Sequence, residues 1–258
     1  QRQMCIRDSY YTILEDEISK AIEEDIFELY CQPIYRINDS CIKSYEVLLR
    51  WFREDSIFDN IGTVIQAAEK TRQIRKIDQW VINALFKKIQ SDKSYQDICF
   101  TVNLSTDSFN SDEFFDYLCN KVAEYAIDPS KITLEITEHS ILSDFEKAHT
   151  IMTKIKAIGY KIALDDFGTK YSSLSYLSRL PIDVLKIDKT YIDYFLANDT
   201  DYAIVELIIQ LGQKLNVAII AEGIEEEAQN RSLGDLGCLY GQGYFFARPM
   251  PINIINQD

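Results

Sequence analysis

"YKIALDDFGTKYSSL", residues 160–174, runs from an apolar stretch into two adjacent aspartates and a glycine. Ile162, Ala163 and Leu164 show no polar alternation, the pattern of a strand covered on both faces. Outward from it, the same arrangement recurs. Upstream, "KITLEIT" (131–137) reads as a strand, and Ser143 with Glu146 reads as a capping box opening a helix through Phe145, Met152 and Ile155 to Gly159. Before it, "DICFTVNLS" (97–105) follows a helix with Ile77, Val81, Leu85 and Ile89 on one face. A helix opened by Asp112 and Glu113 comes next, with Phe115, Leu118 and Val122 inward, stopping before Asp128-Pro129. Downstream, the spacing predicts a short helix from Ser172, the strand "IDVLKID" (182–188) and a helix holding Val205, Ile208 and Ile209. The strand "VAIIAEG" (217–223), a helix from Ile224 and a final strand near "GYFFARP" (243–249) complete the pattern.

The N-terminal part differs. A polar amphipathic helix over Thr12–Glu24 leads into "FELYCQPIYRI" (27–37) and "CIKSYEVLLRW" (41–51), separated only by Asn38, Asp39 and Ser40. So short a link makes an antiparallel hairpin. Alternation of strand and helix elsewhere means a parallel sheet covered by helices. With about eight strands in one chain of 258 residues, the expected fold is α/β: a single βα (TIM-like) barrel with its first strand antiparallel to the rest. Residues 12–258 read as one domain. Residues 1–11, "QRQMCIRDSYY", fit no element and read as a leader or fragment boundary, outside the native fold.

Composition excludes several classes. A net charge of −14 argues against a nucleic-acid polymer, whose phosphates call for clustered Lys and Arg. No apolar run approaches a membrane span, so membrane insertion by this chain is not expected. Six cysteines without CxxC spacing or neighbouring histidines read as free thiols in a reducing compartment, and the expected location is cytoplasmic. His139 and His149 read as structural or solvent-facing.

Barrels of this kind place chemistry where strands run into their following loops. Those positions hold Glu46, Asn103, Glu135, Glu138, Asp165, Asp166, Lys186, Glu222 and Gln242. Each alone has a plain alternative: an aspartate caps the next helix, a glutamate pairs with an arginine, a lysine extends its amine to solvent. Together they would crowd unpaired carboxylates at one mouth, which is costly unless something positive sits among them. All the candidate ligands are oxygen donors, so Mg²⁺ or Mn²⁺ is expected over zinc. Adjacent aspartates can serve two ions, Asp165 bridging and Asp166 reaching the second, about 4 Å apart.

Several stretches match in order and spacing: "YCQPI", "EVLLRW", "VNLS", "EITE", "DDFGT", "LKIDK", "AEGIE" and "GQGYFFARP". In these, from about residue 12 to Pro251, the chain resembles the EAL domains, bacterial phosphodiesterases that hydrolyse cyclic di-GMP to linear pGpG in second-messenger signalling. The resemblance implies that Glu46, Asn103, Glu135 and Asp165 hold one metal ion, that Asp165 and Asp166 share the second, and that Glu222 holds that ion or its water. It implies Lys186 beside the attacking water, Gln242 positioning Glu222 and that water, and Glu138 fixing the aspartate loop. Gln32, Leu48 and Arg50 would line the substrate cleft, with the forked donors of Arg50 on a phosphate. Relatives often dimerise near the aspartate loop, so the resemblance leaves room for a homodimer and for an upstream sensory or cyclase domain in the full-length protein, and the sequence itself does not fix the oligomeric state.

There are departures. Val47 stands where the name-giving alanine would be, and "FREDSIFDNIGTVIQAAEKT" (52–71) keeps only Ala68-Glu69 of the family's segment. Lys170 replaces a glycine; forcing a lysine to positive φ costs roughly 1 kcal/mol or more. Three readings result: a metal-dependent phosphodiesterase first, a non-catalytic cyclic di-GMP receptor with a degenerate aspartate loop second, and an unrelated metal-dependent barrel enzyme third.

Overall fold

The computed structural model describes residues 15–24, 26–52, 61–142, 144–168 and 177–255. The expectations placed on residues 1–11, on Ser143, on Lys170 and on a helix from Ser172 lie outside them, as do residues 53–60 of the departing segment.

Nine strands form one sheet among the described residues. These are β1 (Phe27–Arg36), β2 (Ile42–Trp51), β3 (Phe100–Asn103), β4 (Ile132–Thr137), β5 (Lys161–Phe167), β6 (Val184–Ile187), β7 (Ala218–Ala221), β8 (Tyr240–Gly241) and β9 (Met250–Pro251). β2 through β8 pair in parallel in chain order, and β1 closes the barrel antiparallel to both β8 and β2. β9 pairs antiparallel with β1 at Tyr30 and Cys31, on the edge that β8 takes at Tyr35 and Arg36. The reversal of β1 comes from its tight link to β2. Ser40 takes a left-handed φ of 53°, and Asp39 accepts from the Cys41 backbone N–H at 3.1 Å and pairs with Arg36 at 2.6 Å.

Parity along the strands decides what faces the barrel axis. In β4, Ile132, Leu134 and Ile136 lie under the helices and Thr133 and Glu135 alternate with them. The register Asn103↔Glu135 and Glu46↔Thr101 places Glu46, Asn103 and Glu135 on the same parity across three strands. Outside, the helix Ile74–Ser91 buries Ile77, Val81, Leu85 and Ile89, as its periodicity predicts. In the helix Asp112–Tyr125, Phe114 and Leu118 are buried, while Phe115 and Val122 are only partly covered. No helix of the described residues is long and apolar enough to cross a membrane.

Three boundaries differ from the sequence reading. The helix after β4's short turn runs Phe145–Ile158 and is capped by Asp144, whose carboxylate accepts from the Lys147 N–H at 3.1 Å. The helix expected from Ile224 begins at Glu227, because the Gln229 side chain accepts from the N–H groups of Glu225 and Glu226 and holds them out of the helix. Residues 243–249 are turn and coil, not strand. The last parallel strand is Tyr240–Gly241, and Gly243 then lies so close to Ile224 that a Cβ would sit 2.0 Å from its carbonyl oxygen. Gln242 therefore ends a strand rather than preceding one.

Candidate active site

Lys186 enters the barrel from β6, fully buried, with its ammonium at the centre of the mouth. Glu135 and Glu222 each approach the nitrogen to 2.5 Å, Glu46 to 3.5 Å and Asp165 to 3.9 Å. Four carboxylates thus surround one cation. Burial disfavours the charged ammonium, but the surrounding carboxylates outweigh it and hold the Lys186 pKa well above the usual lysine range. Burial pushes Glu222 up to about 7, and pushes Glu135 well above the ordinary carboxylate value with Lys186 opposing and the other three carboxylates adding to the rise. For Glu46 burial acts the same way, yet Lys186, Gln242 and Asn103 overcome it and hold its pKa down.

The partners of Glu46 explain that difference. Asn103 donates to one oxygen at 2.9 Å and Gln242 to the other at 2.8 Å. The same Gln242 amide reaches the Gln32 carbonyl oxygen at 3.0 Å, and Gln32 donates onward to the Ala247 carbonyl at 3.1 Å. A chain of amides therefore locks β1, β2 and the turn after β8 around Glu46.

Three oxygens facing this centre make no hydrogen bond: Glu135 Oε2, Asp165 Oδ1 and Gln242 Oε1. Buried acceptors without donors are costly and call for a partner. Glu135, Asp165 and Glu222 offer ligand oxygens all within 4.8 Å of one another. An all-oxygen donor set carrying surplus negative charge suits a hard divalent cation, so the residues present fit one.

Asp166 follows directly on Asp165 with a φ of +55°, and it lines a groove with Glu69, Thr137, Glu138 and His139. Glu138, buried at the end of β4, faces the Gly168 N–H at 3.5 Å, just beyond the aspartate pair. His139 is exposed, and His149 lies against Phe145 on its helix.

Gln32, Glu46, Leu48, Glu222 and Gln242 line one cavity of about 290 Å³ at the mouth. A second adjoins it at Leu48, lined by Arg50, Asn103, Glu69 and Ser105. Arg50 lies over the Tyr30 ring at 5.7 Å and donates to the Leu49 carbonyl at 2.8 Å. The structure therefore sets Gln32 and Arg50 on either side of Leu48. Lys189 and Tyr244 also line the first cavity and were missed by the strand-end reasoning. Both lie past a strand end, on a helix and a turn, where a parity rule gives no signal.

The EAL domain family model matches residues 15–249. The bifunctional diguanylate cyclase/cyclic di-GMP phosphodiesterase MucR of Pseudomonas aeruginosa is 36% identical over 237 residues, covering 91% of this chain and 35% of that protein. The cyclic di-GMP phosphodiesterase PdeA of Borreliella burgdorferi is 33% identical over 242 residues, covering 91% of this chain and 35% of that one. A solved PaMucR phosphodiesterase in complex with c-di-GMP superposes with a TM-score of 0.87 at 36% identity, over 93% of this chain and 98% of that one. The chain spans about a third of the length of the curated relatives it matches.

Proposed function

The chain belongs to the EAL domain family, and on that premise we propose that it hydrolyses cyclic di-GMP to linear pGpG with two divalent ions, Mg²⁺ or Mn²⁺. One observation carries the reading: four carboxylates converge on Lys186 while oxygens of Glu135, Asp165 and Gln242 stay without hydrogen-bond donors. Glu46, Asn103, Glu135, Asp165 and Glu222 would hold metal at this mouth, with Asp166 completing the set. Bound there, the ions would supply hydroxide near neutral pH and neutralise the phosphodiester.

The chain's own residues do the rest. Lys186, central among the carboxylates, would help orient or deprotonate the attacking water. Glu222, 2.5 Å from the Lys186 ammonium, would hold an ion or its water beside it. Gln242 fixes Glu46 and Gln32 together, and Glu138 holds the backbone beyond the aspartates. Arg50 supplies a forked donor for a substrate phosphate from the cavity beyond Leu48. A cytoplasmic location goes with such a substrate, and the greater length of the relatives supports an additional sensory or cyclase domain upstream. The homodimer is retained as part of this proposal.

A second reading, a non-catalytic cyclic di-GMP receptor, draws on the left-handed backbone at Asp166 in the altered aspartate loop. Family membership removes the third, an unrelated barrel enzyme. Asp165→Asn separates the remaining two. The hydrolase reading expects turnover to fall at least about a thousandfold, roughly 4 kcal/mol of barrier, with cyclic di-GMP still bound. Turnover within a few-fold of the parent would remove Asp165 from the metal centre.

A further inference from the structure

β5 carries a bulge at the aspartate pair. Leu164 pairs with Leu185 and Phe167 with Ile187, so Asp165 and Asp166 together span the interval that Lys186 alone spans on β6. Asp166 takes a left-handed φ of +55° there. A non-glycine residue keeps such a backbone only where its surroundings over-determine it. The ladder to β6 is interrupted at this point, so something outside it must fix the bulge.

Gly168 is where that constraint converges. Its N–H faces the Glu138 carboxylate at 3.5 Å, and its carbonyl accepts a hydrogen bond from the Tyr191 hydroxyl. Tyr191 comes from the short helix Lys189–Ile192 that follows β6, whereas Glu138 follows β4. Elements following the two neighbours of β5 thus hold the two peptide groups that flank the Gly168 Cα. Glycine is needed for this in two ways. Its φ is +88°, and a Cβ would lie 3.2 Å from the Tyr191 oxygen and 3.4 Å from its ring. Burial raises the Tyr191 pKa, with the negative charges of Asp201, Asp188 and Glu138 adding to it, so the phenol remains a donor.

We infer that Tyr191 is a positioning residue for the aspartate pair: through the Gly168 carbonyl its hydroxyl sets the bulge that aims Asp165 at the Lys186 centre. This rests on the hydrolase reading proposed above. Its contribution is one hydrogen bond, worth about 1–1.5 kcal/mol, or roughly a five- to tenfold effect.

Tyr191→Phe keeps the ring against Gly168 and removes only the hydroxyl. With cyclic di-GMP as substrate, kcat should fall about five- to tenfold while KM stays within about twofold. Calorimetric titration with Mn²⁺ alone, without substrate, should show its dissociation constant rising by a similar factor. A purely structural role would lower the melting temperature and leave the Mn²⁺ affinity unchanged. Tyr194→Phe, which removes a neighbouring exposed hydroxyl, should change none of these. Because Glu138 and Tyr191 both act on Gly168, Glu138→Gln with Tyr191→Phe should cost less than the product of the single effects. Parental kcat and Mn²⁺ affinity in Tyr191→Phe, with an active parent, would overturn the inference and leave the hydrolase reading standing. A parent that binds Mn²⁺ without turnover would sink hydrolysis alone, and weakened Mn²⁺ binding by Tyr191→Phe would still support the positioning role. A parent that does neither overturns both.

Discussion

Replacing Lys186 by methionine removes the charge and keeps the stem, and the structure says what should follow. The ammonium is 1% exposed and lies within 4 Å of Glu46, Glu135, Asp165 and Glu222. Breaking a buried ion pair by removing one partner costs about 3–5 kcal/mol, since the other charge is left uncompensated. Several carboxylates share the loss here and some can protonate, which favours the lower end, about 3 kcal/mol. For a domain of this size each kcal/mol moves the melting temperature by about 2–4 °C, so Lys186→Met should melt roughly 6–12 °C lower in chelator-treated buffer at about pH 8. The sign of the pH dependence follows from Glu222, at about 7, and Glu135, both raised above their unfolded values. A carboxyl with a raised folded pKa costs stability as pH climbs from its unfolded to its folded value, and loss of Lys186 raises both further. The deficit should therefore be largest above about pH 7 and shrink toward pH 5. Mn²⁺ at about a hundred times its dissociation constant adds about 2.7 kcal/mol to whichever form binds it, and should stabilise the variant at least as much as the parent. Thermal melts by circular dichroism across pH, with and without Mn²⁺, give the answer. A variant within about 2 °C of the parent under every condition would refute the electrostatic role assigned to Lys186.

Two further perturbations test neighbouring parts. Asp78, buried beneath the loop after β3, accepts from the Ser105 N–H at 3.1 Å and hydroxyl at 2.5 Å, and burial raises its pKa to about 6. Because that value lies above the unfolded one, Asp78 lowers stability as pH rises through about 4–6, by roughly 2–3 kcal/mol in all; Asp78→Asn should flatten the slope in urea melts, and an unchanged slope would assign it elsewhere. Gln242→Ala strips Glu46 and Gln32 of a shared donor, so kcat/KM should fall about five- to thirtyfold, with parental kinetics contradicting the amide chain as a catalytic support.

The strands from β2 to β7 were legible because each is a short apolar run, and strand-end parity then found Glu46, Glu135, Lys186 and Glu222 without any coordinates. β8 and β9 were not, because they are two residues each and the aromatic run Tyr244–Phe246 outweighs them in a pattern reading. What displaces that run is the contact of Gly243 with Ile224, a tertiary fact. The start of the helix at Glu227 likewise depends on where the Gln229 amide turns. The aspartate pair shows the same limit at the site. Adjacency in sequence carried no sign of the bulge or of the left-handed φ that Asp166 adopts there. The grip of Tyr191 on Gly168 spans two elements and carries no local signature at all.

Hydrolysis itself is the most direct test. Purified protein incubated with cyclic di-GMP and either Mg²⁺ or Mn²⁺, with products separated by chromatography, should convert it to pGpG, and a chelator should stop the conversion. Cyclic di-GMP recovered intact from a protein that binds it, in the presence of either metal, would contradict the account and make the chain a receptor.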